Sequence, residues 1–144
     1  MRSEAGHPQV QVALQSTPLA VRRALSGLFR DDRLGSLQDD QRGTAELVLA
    51  EVLNNVVEHA YACGAGEIEV SVALRGRSLM FQVLDRGAEL PGHILPHGQL
   101  GDYGQHGDLP EGGFGWHMIR TLAKDVEYRR QDDCNHLSFR LDLA

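Results

Sequence analysis

The segment from residue 47 to residue 61 constrains the fold of this chain more than any other part of its sequence. It is dense in apolar side chains, and a helix this apolar is mostly buried. Glu51, Asn55 and His59 follow at intervals of four residues, so an α-helix would place them in one row. Buried polar groups are costly without partners. The row therefore predicts either hydrogen bonds to neighbouring backbone groups or a site that faces a metal-bound phosphate ligand.

A second informative segment, residues 81–91, is an alternating apolar strand that ends at Asp85 and continues into Gly87. A carboxylate at the end of a strand can accept a hydrogen bond from an amine. A glycine lacks Cβ, so the backbone there can approach a flat ligand closely. An ordinary strand-to-turn exit explains the same residues, because turns favour Asp and Gly.

A third segment places Gly112, Gly113 and Gly115 at the start of an amphipathic helix predicted for about residues 114–123. Free N–H groups and the macrodipole at a helix N-terminus favour an anion by about 0.3–1 kcal/mol. A plain glycine-containing loop before a packing helix is an equally common arrangement. Each of the three segments is therefore weak evidence when it is taken alone.

In this order and spacing, Glu-x-x-x-Asn-x-x-x-His-Ala-Tyr, Asp-x-Gly and Gly-Gly-x-Gly closely resemble the Bergerat-type ATP-binding superfamily. That superfamily includes gyrase, Hsp90, sensor histidine kinases and MutL-like proteins. The His-Ala-Tyr ending and the run from Gly112 to Tyr128 look most like the bacterial anti-sigma factor/serine-protein kinases. The resemblance extends from about residue 9 to residue 143.

The resemblance implies a role for each motif in binding Mg-ATP. Asp85 would accept a hydrogen bond from the adenine amine, with Gly87 beside it. Asn55 would offer its amide oxygen to Mg²⁺, a hard ion that prefers oxygen ligands. Gly113 and Gly115 would cradle the phosphates with nearby backbone N–H groups.

Glu51, one helical turn before Asn55, is by the same resemblance the candidate general base for transfer to a serine. His59 and Tyr61 belong to the signature, and we expect them to be core groups that pack against the base of the lid. The alternative for His59, a phosphoacceptor, is disfavoured because its neighbours do not resemble an acceptor box.

One departure from the family concerns cations, since phosphoryl transfer is usually helped by a cation beyond Mg²⁺. There is no Lys or Arg from residue 87 to residue 119. Arg86 or Arg120 would have to reach the phosphates, or a partner supplies the cation, or the transfer is slow. ATP binding is accordingly better supported by the sequence than kinase activity.

The periodicity of the chain predicts a β-α-α-β-β-loop-α-β-β order, hence a two-layer α/β sandwich of the Bergerat type, with a mixed, mostly antiparallel sheet and helices on one face. The predicted elements are a strand at 9–14, helices from Pro18 to about 30 and over about 38–62, strands at 67–74 and 78–84, the helix at 114–123, and strands at 126–128 and 136–141 around Asp132-Asp133. The length of 144 residues fits one domain, residues 1–144. Residues 88–112 form a loop too long for a plain connection, and we expect it to be the ATP lid.

Composition narrows the partners and the compartment. A net charge of −6 argues against binding a nucleic-acid backbone and suits protein partners. No apolar run reaches about 18 residues and the N-terminus lacks a signal-peptide core, so we expect a cytoplasmic protein without a membrane span. Cys63 and Cys134 are expected to be free thiols. His93 and His97 have metal-ligand spacing only on a helix, which the neighbouring Pro and Gly oppose.

Together these features predict an anti-sigma regulatory serine/threonine-protein kinase that binds Mg-ATP. Its substrate would be a serine of a small STAS-type anti-anti-sigma protein, and sequestration of a sigma factor is a further activity left open. The alternative is a nucleotide-regulated protein-binding module with little or no catalysis. A detached ATPase domain of a larger machine is disfavoured by the small-protein architecture. A homodimer is compatible with the resemblance, although no motif requires it.

Overall fold

The computed structural model of the protein describes residues 9–61, 64–90, 119 and 121–143. Within them lie strands β1 Gln9–Gln15, β2 Glu67–Arg75, β3 Ser78–Asp85, β4 Ala123–Gln131 and β5 Cys134–Asp142, and helices α1 Pro18–Phe29 and α2 Asp39–Asn55. A short 3-10 turn, Asp32–Leu34, connects the two helices, and a π-helical turn, Val56–Ala60, continues α2. No helix in this part of the chain is long and apolar enough to cross a membrane.

The strands form a five-stranded sheet in the order β1-β2-β3-β5-β4, and every pairing in it is antiparallel. In its central register Val70 on β2 lies opposite Val83 on β3, which in turn lies opposite Leu137 on β5. Asp85, the last residue of β3, lies opposite Asn135 near the start of β5. The register therefore brings the end of β3 and the turn between β4 and β5 to the same edge of the fold.

Both helices pack on one face of the sheet, as the sequence predicted. Alternate strand residues such as Ile68, Leu79 and Phe139 share a single buried cluster with α1 and α2. Phe81 on β3 stacks on Phe139 of β5 with ring centroids 4.7 Å apart, which ties the central strands together in the core. The other face of the sheet carries polar side chains such as Gln82 on β3 and Ser138 on β5, so the predicted two-layer α/β sandwich is confirmed. The sheet was predicted to be mixed and mostly antiparallel, but all four of its described strand pairs are antiparallel.

The helix starts follow from local chemistry. The side chain of Thr17 accepts a hydrogen bond of 3.1 Å from Ala20 N, and Pro18 occupies the first turn of α1, as predicted. α2 begins after Gln38, whose backbone N–H donates to the side chain of Gln41 at 2.9 Å.

Five predicted segments differ from the structure. The helix expected over 38–62 is α-helical only to Asn55, because a π turn follows in which Tyr61 N donates to Val56 O, five residues back. The loop expected over 31–36 contains a 3-10 turn that buries Leu34 completely. The helix expected to end at Ala123 ends at Leu122, since Ala123 already pairs with β5, and both final strands are longer than predicted.

Candidate functional site

Asp85 lies buried where β3 ends. The inward-facing positions of β3 are Leu79, Phe81, Val83 and Asp85, so strand alternation turns this carboxylate toward the helices. The residue is only 2% exposed, and its Oδ1 accepts hydrogen bonds of 2.8 Å from Gly87 N and Asn135 Nδ2. Among the described residues no donor contacts Oδ2. One carboxylate oxygen is thus held, and the other is available to an amine.

Burial raises the pKa of Asp85 above its ordinary value, and the hydrogen bonds from Asn135 and Gly87 oppose that rise. Arg130 and His136 add weaker electrostatic stabilisation of the ionised form. The protonation state of Asp85 consequently depends on how well these donors are held in place.

Gly87 is where the strand exit meets the end of the helix. A Cβ built on Gly87 would lie 2.3 Å from the carbonyl oxygen of Ala60, and Ala88 N donates to the same oxygen at 2.7 Å. A side chain larger than hydrogen cannot fit without moving backbone. In the structure the close neighbour of Gly87 is the backbone of Ala60 at the helix end. The predicted close approach of a flat ligand to Gly87 stays a prediction.

Tyr61 links the helix end to the two strands next to it. Its hydroxyl accepts from Arg86 N at 2.9 Å and donates to Glu67 O at 2.8 Å, so it joins the helix end to the exit of β3 and the start of β2. Its ring packs against Gly66, where a Cβ would lie 2.5 Å from Cε1. Burial raises the pKa of this phenol. These contacts give Tyr61 a structural role, and its expected packing against the base of the lid stays a prediction.

Asn55 and Glu51 lie one turn apart on α2, as predicted. Asn55 is 3% exposed, and its Nδ2 donates to Glu51 O at 2.7 Å. The sequence allowed a hydrogen bond from Asn55 to a neighbouring backbone group, and this bond exists. It uses the NH₂ group of the amide and leaves the amide oxygen. Among the described residues Oδ1 of Asn55 has no donor. A buried amide oxygen without a partner is costly, and it is the kind of ligand that a hard cation accepts.

His59 does not continue the row. It lies in the π turn, which advances differently from an α-helix, and its side chain is 32% exposed with Nε2 3.9 Å from Glu58 Oε1. The predicted alignment of three polar side chains is therefore reduced to Glu51 and Asn55, and His59 is not a buried core group.

The described residues offer a metal ion individual oxygen ligands rather than a cluster of ligands. Within the described ranges no three His, Cys, Asp or Glu side chains cluster in a way that could hold a metal ion. The unpartnered Oδ1 of Asn55 fits Mg²⁺, which is usually bound by one or two protein oxygens together with substrate phosphates and water.

Several predicted residues fall outside the described part of the chain: Gly113, Gly115, most of the lid (91–112), Arg120, Cys63, His93 and His97. Their roles remain predictions. Of Arg86 and Arg120, either of which was one possible source of the cation, Arg86 has an exposed side chain. Among the described residues, Arg130 on β4 is the arginine whose charge lowers the pKa of Asp85.

Sequence reasoning missed the β4–β5 side of the site, namely Tyr128, Arg130 and Asn135. A signal was present, because Asn135 continues the inward series of Leu141, Phe139 and Leu137 on β5. A polar residue at a position that alternation assigns to the core needs a buried partner, and here that partner is Asp85.

Residues 14–141 match the histidine kinase-like ATPase domain family. The chain belongs to this family. The resemblance inferred from the three motifs is thereby confirmed.

Among its relatives, the proteins named serine-protein kinase RsbW from Bacillus thuringiensis (strain Al Hakam) and Bacillus cereus (strain AH820) are each 30% identical over 112 residues. The alignment covers 74% of this chain, and this chain spans 66% of the length of each relative. A solved structure, the Acinetobacter baumannii histidine kinase AdeS, aligns with a TM-score of 0.48 and 15% identity over 93% of this chain and 68% of that one.

Proposed function

We propose that this protein binds Mg-ATP between the end of α2 and the exit of β3, and transfers the γ-phosphoryl group to a serine of a STAS-type anti-anti-sigma protein. The proposed binding of ATP rests on the buried Asp85, whose Oδ2 has no donor among the described residues. The serine-kinase half is supported by the names of the RsbW relatives. Sequestration of a sigma factor is compatible with the proposal.

Each residue has a distinct part in the proposed reaction. Asp85 accepts from the amino group of adenine, and the surface beside Gly87 takes the flat face of the base. Asn55 Oδ1 would hold Mg²⁺, which supplies charge neutralisation for the phosphates when it is bound. Gly113 and Gly115 would donate backbone N–H groups to the phosphates.

Glu51 acts as the general base. Its carboxylate accepts the proton of the serine hydroxyl while the serine oxygen bonds to the γ-phosphorus. The bond from that phosphorus to the β–γ bridging oxygen breaks, and the products are phosphoserine and ADP. General-base catalysis of this kind typically contributes about 10²- to 10⁴-fold in rate.

Transfer of radiolabel from γ-labelled ATP to a purified STAS protein tests the proposal. Glu51→Gln should bind ATP normally and transfer about 10²-fold more slowly or worse. Glu46→Gln is the matched control, because it removes the same charge from a different face of α2 and should behave as wild type. Full activity in Glu51→Gln would remove Glu51 as the base.

A binding module without catalysis is the second candidate, and one observation favours it. Arg130 is committed to Gly87 O and Asn135 Oδ1, and no Lys or Arg occurs between residues 87 and 119. Tight binding of ATP or ADP with no transfer to any STAS protein would select this alternative.

A further inference from the structure

The buried amide of Asn135 joins Asp85 to the segment that follows β3. Asn135 is 1% exposed, and its Nδ2 donates hydrogen bonds of 2.8 Å to both Asp85 Oδ1 and Ala88 O. Its Oδ1 accepts from the hydroxyl of Tyr128 and, at 3.2 Å, from Arg130 Nη1. Two acceptors lie on one side of the amide and two donors on the other, so only one orientation of the side chain satisfies all four contacts.

Tyr128 and Arg130 hold that orientation from the neighbouring strand. Arg130 Nη1 also donates to Gly87 O at 2.6 Å, and the hydroxyl of Tyr128 also accepts from Leu90 N at 3.1 Å. Both residues therefore contact Asn135 and the segment from residue 87 to residue 90 at once. A rotation of the amide would break contacts to two strands and to the first residues of the lid.

The consequence for Asp85 concerns which oxygen it offers. Asn135 Nδ2 and Gly87 N both donate to Oδ1, whereas no donor from the part of the chain that the structure describes contacts Oδ2, the oxygen that we assign to a ligand. An ionised carboxylate accepts hydrogen bonds only, whereas a protonated one can also donate. Adenine carries an amino donor at the position where guanine carries a carbonyl acceptor.

We propose that Asn135, locked by Tyr128 and Arg130, is a positioning residue that keeps Asp85 as an acceptor and thereby selects adenine over guanine nucleotides. The inference rests on the proposed nucleotide site. An ionised Asp85 attracts the amino group of adenine and repels the carbonyl oxygen of guanine. Without the Asn135 donor, the buried carboxyl becomes protonated more readily and can donate to guanine.

The groups that face Asp85 in the described residues set the pH range of the test. They are Tyr61 from the helix end and Tyr128 and Arg130 from β4, together with His136, which lies on the outer face of β5 and acts on Asp85 only through its charge. Tyrosine and arginine do not ordinarily titrate between pH 6 and pH 8.5, whereas histidine does. Each variant is therefore also measured in a His136→Gln background.

The experiment measures the Kd of Mg-ATP and of Mg-GTP from pH 6 to pH 8.5 for wild type, Asn135→Leu and Tyr128→Phe. Leucine has a similar shape and no donor, so Asn135→Leu should weaken ATP binding at pH 7 by about 10-fold or more. It should also narrow the preference for ATP over GTP, and its affinity for ATP should rise as the pH increases. Ser138→Ala, on the outer face of β5 away from Asp85, is the control and should match wild type.

Tyr128→Phe keeps the donor of Asn135 and removes only one of the contacts that orient it. It should shift affinity and nucleotide preference in the same direction by about 2- to 10-fold. This variant decides the matter if Asn135→Leu does not fold. A merely structural role predicts equal losses for both nucleotides and an unchanged pH profile, and that outcome overturns the inference. If wild type binds no nucleotide, the proposed function itself fails.

Discussion

Replacing Gly87 by alanine should destabilise the protein through a single contact. A Cβ at this position would lie 2.3 Å from the oxygen, 2.7 Å from the carbon and 2.9 Å from the Cβ of Ala60. Ordinary van der Waals contact needs roughly 3.5 Å, so the two backbone segments must separate by about 1 Å. Flexible side chains cannot absorb the change, because two of the three atoms belong to the backbone of the helix end.

Two contributions determine how much Gly87→Ala lowers the free energy of unfolding. Overpacking of this kind costs about 1–3 kcal/mol. The separation also lengthens the hydrogen bond from Ala88 N to Ala60 O, now 2.7 Å, whose loss costs about 0.5–1.5 kcal/mol. We therefore expect Gly87→Ala to lower the free energy of unfolding by about 2–4 kcal/mol. For a chain of 144 residues that corresponds to a decrease in Tm of roughly 6–16 °C.

Urea unfolding followed by circular dichroism measures the effect, with Gly43→Ala as the control. Gly43 lies inside α2 with no atom within 4 Å of a Cβ built there, so alanine should stabilise by about 0.5–1 kcal/mol. The two glycines thus predict changes of opposite sign. A Gly87→Ala variant within about 0.5 kcal/mol of wild type would refute the reasoning.

Three further predictions concern the same framework. Tyr61→Phe loses the hydrogen bonds that the hydroxyl makes with Arg86 N and Glu67 O, and it should lower the free energy of unfolding by about 1–3 kcal/mol. An unchanged urea midpoint would contradict the structural role of Tyr61. Because the pKa of Asp85 is raised in the folded state, wild type should lose stability relative to Asp85→Asn as the pH rises above about 3.8, and a constant difference from pH 4 to pH 8 would contradict this. Asp133→Gly, at a φ of 61° in the β4–β5 turn, should raise the free energy of unfolding by about 0.5–1 kcal/mol, and a lower Tm would count against it.

Much of the fold could be predicted because local signals agree with the tertiary structure. The alternation of apolar residues in β1, β2 and β3 matches the buried face of the sheet, so each of these strands was predicted to within one residue. Thr17 and Pro18 mark the start of α1, and Asp132 and Asp133 form the expected turn with positive φ values.

The end of α2 was mispredicted for a physical reason. Apolar residues continue at helical spacing through Val56, Val57 and Ala60, so periodicity alone cannot distinguish a π turn from an α-helix. The wide turn ends at Ala60, whose carbonyl receives Ala88 N, a contact between segments that are 28 positions apart. The local periodicity of apolar residues does not reveal contacts between segments so far apart in the sequence.

The candidate site was predicted in part for the same reason. Asp85, Gly87, Asn55 and Glu51 stand in short motifs that can be read from the chain, and the structure brings the helix end and the strand exit together. The residues that support Asp85 come from β4 and β5, about 40 to 50 positions further along the sequence. They become visible only when the register of β3 against β5 is known.

The most direct test of the nucleotide site is calorimetric titration of the protein with ATP, with and without Mg²⁺, on wild type, Asp85→Asn and Asn55→Ala. Since two donors hold Oδ1 of Asp85, the amide of Asp85→Asn would turn its NH₂ group toward the amino group of adenine. We predict Mg²⁺-dependent, saturable binding to wild type and its loss in both variants. Absence of binding to wild type, or full binding in both variants, would contradict the assignment of the site.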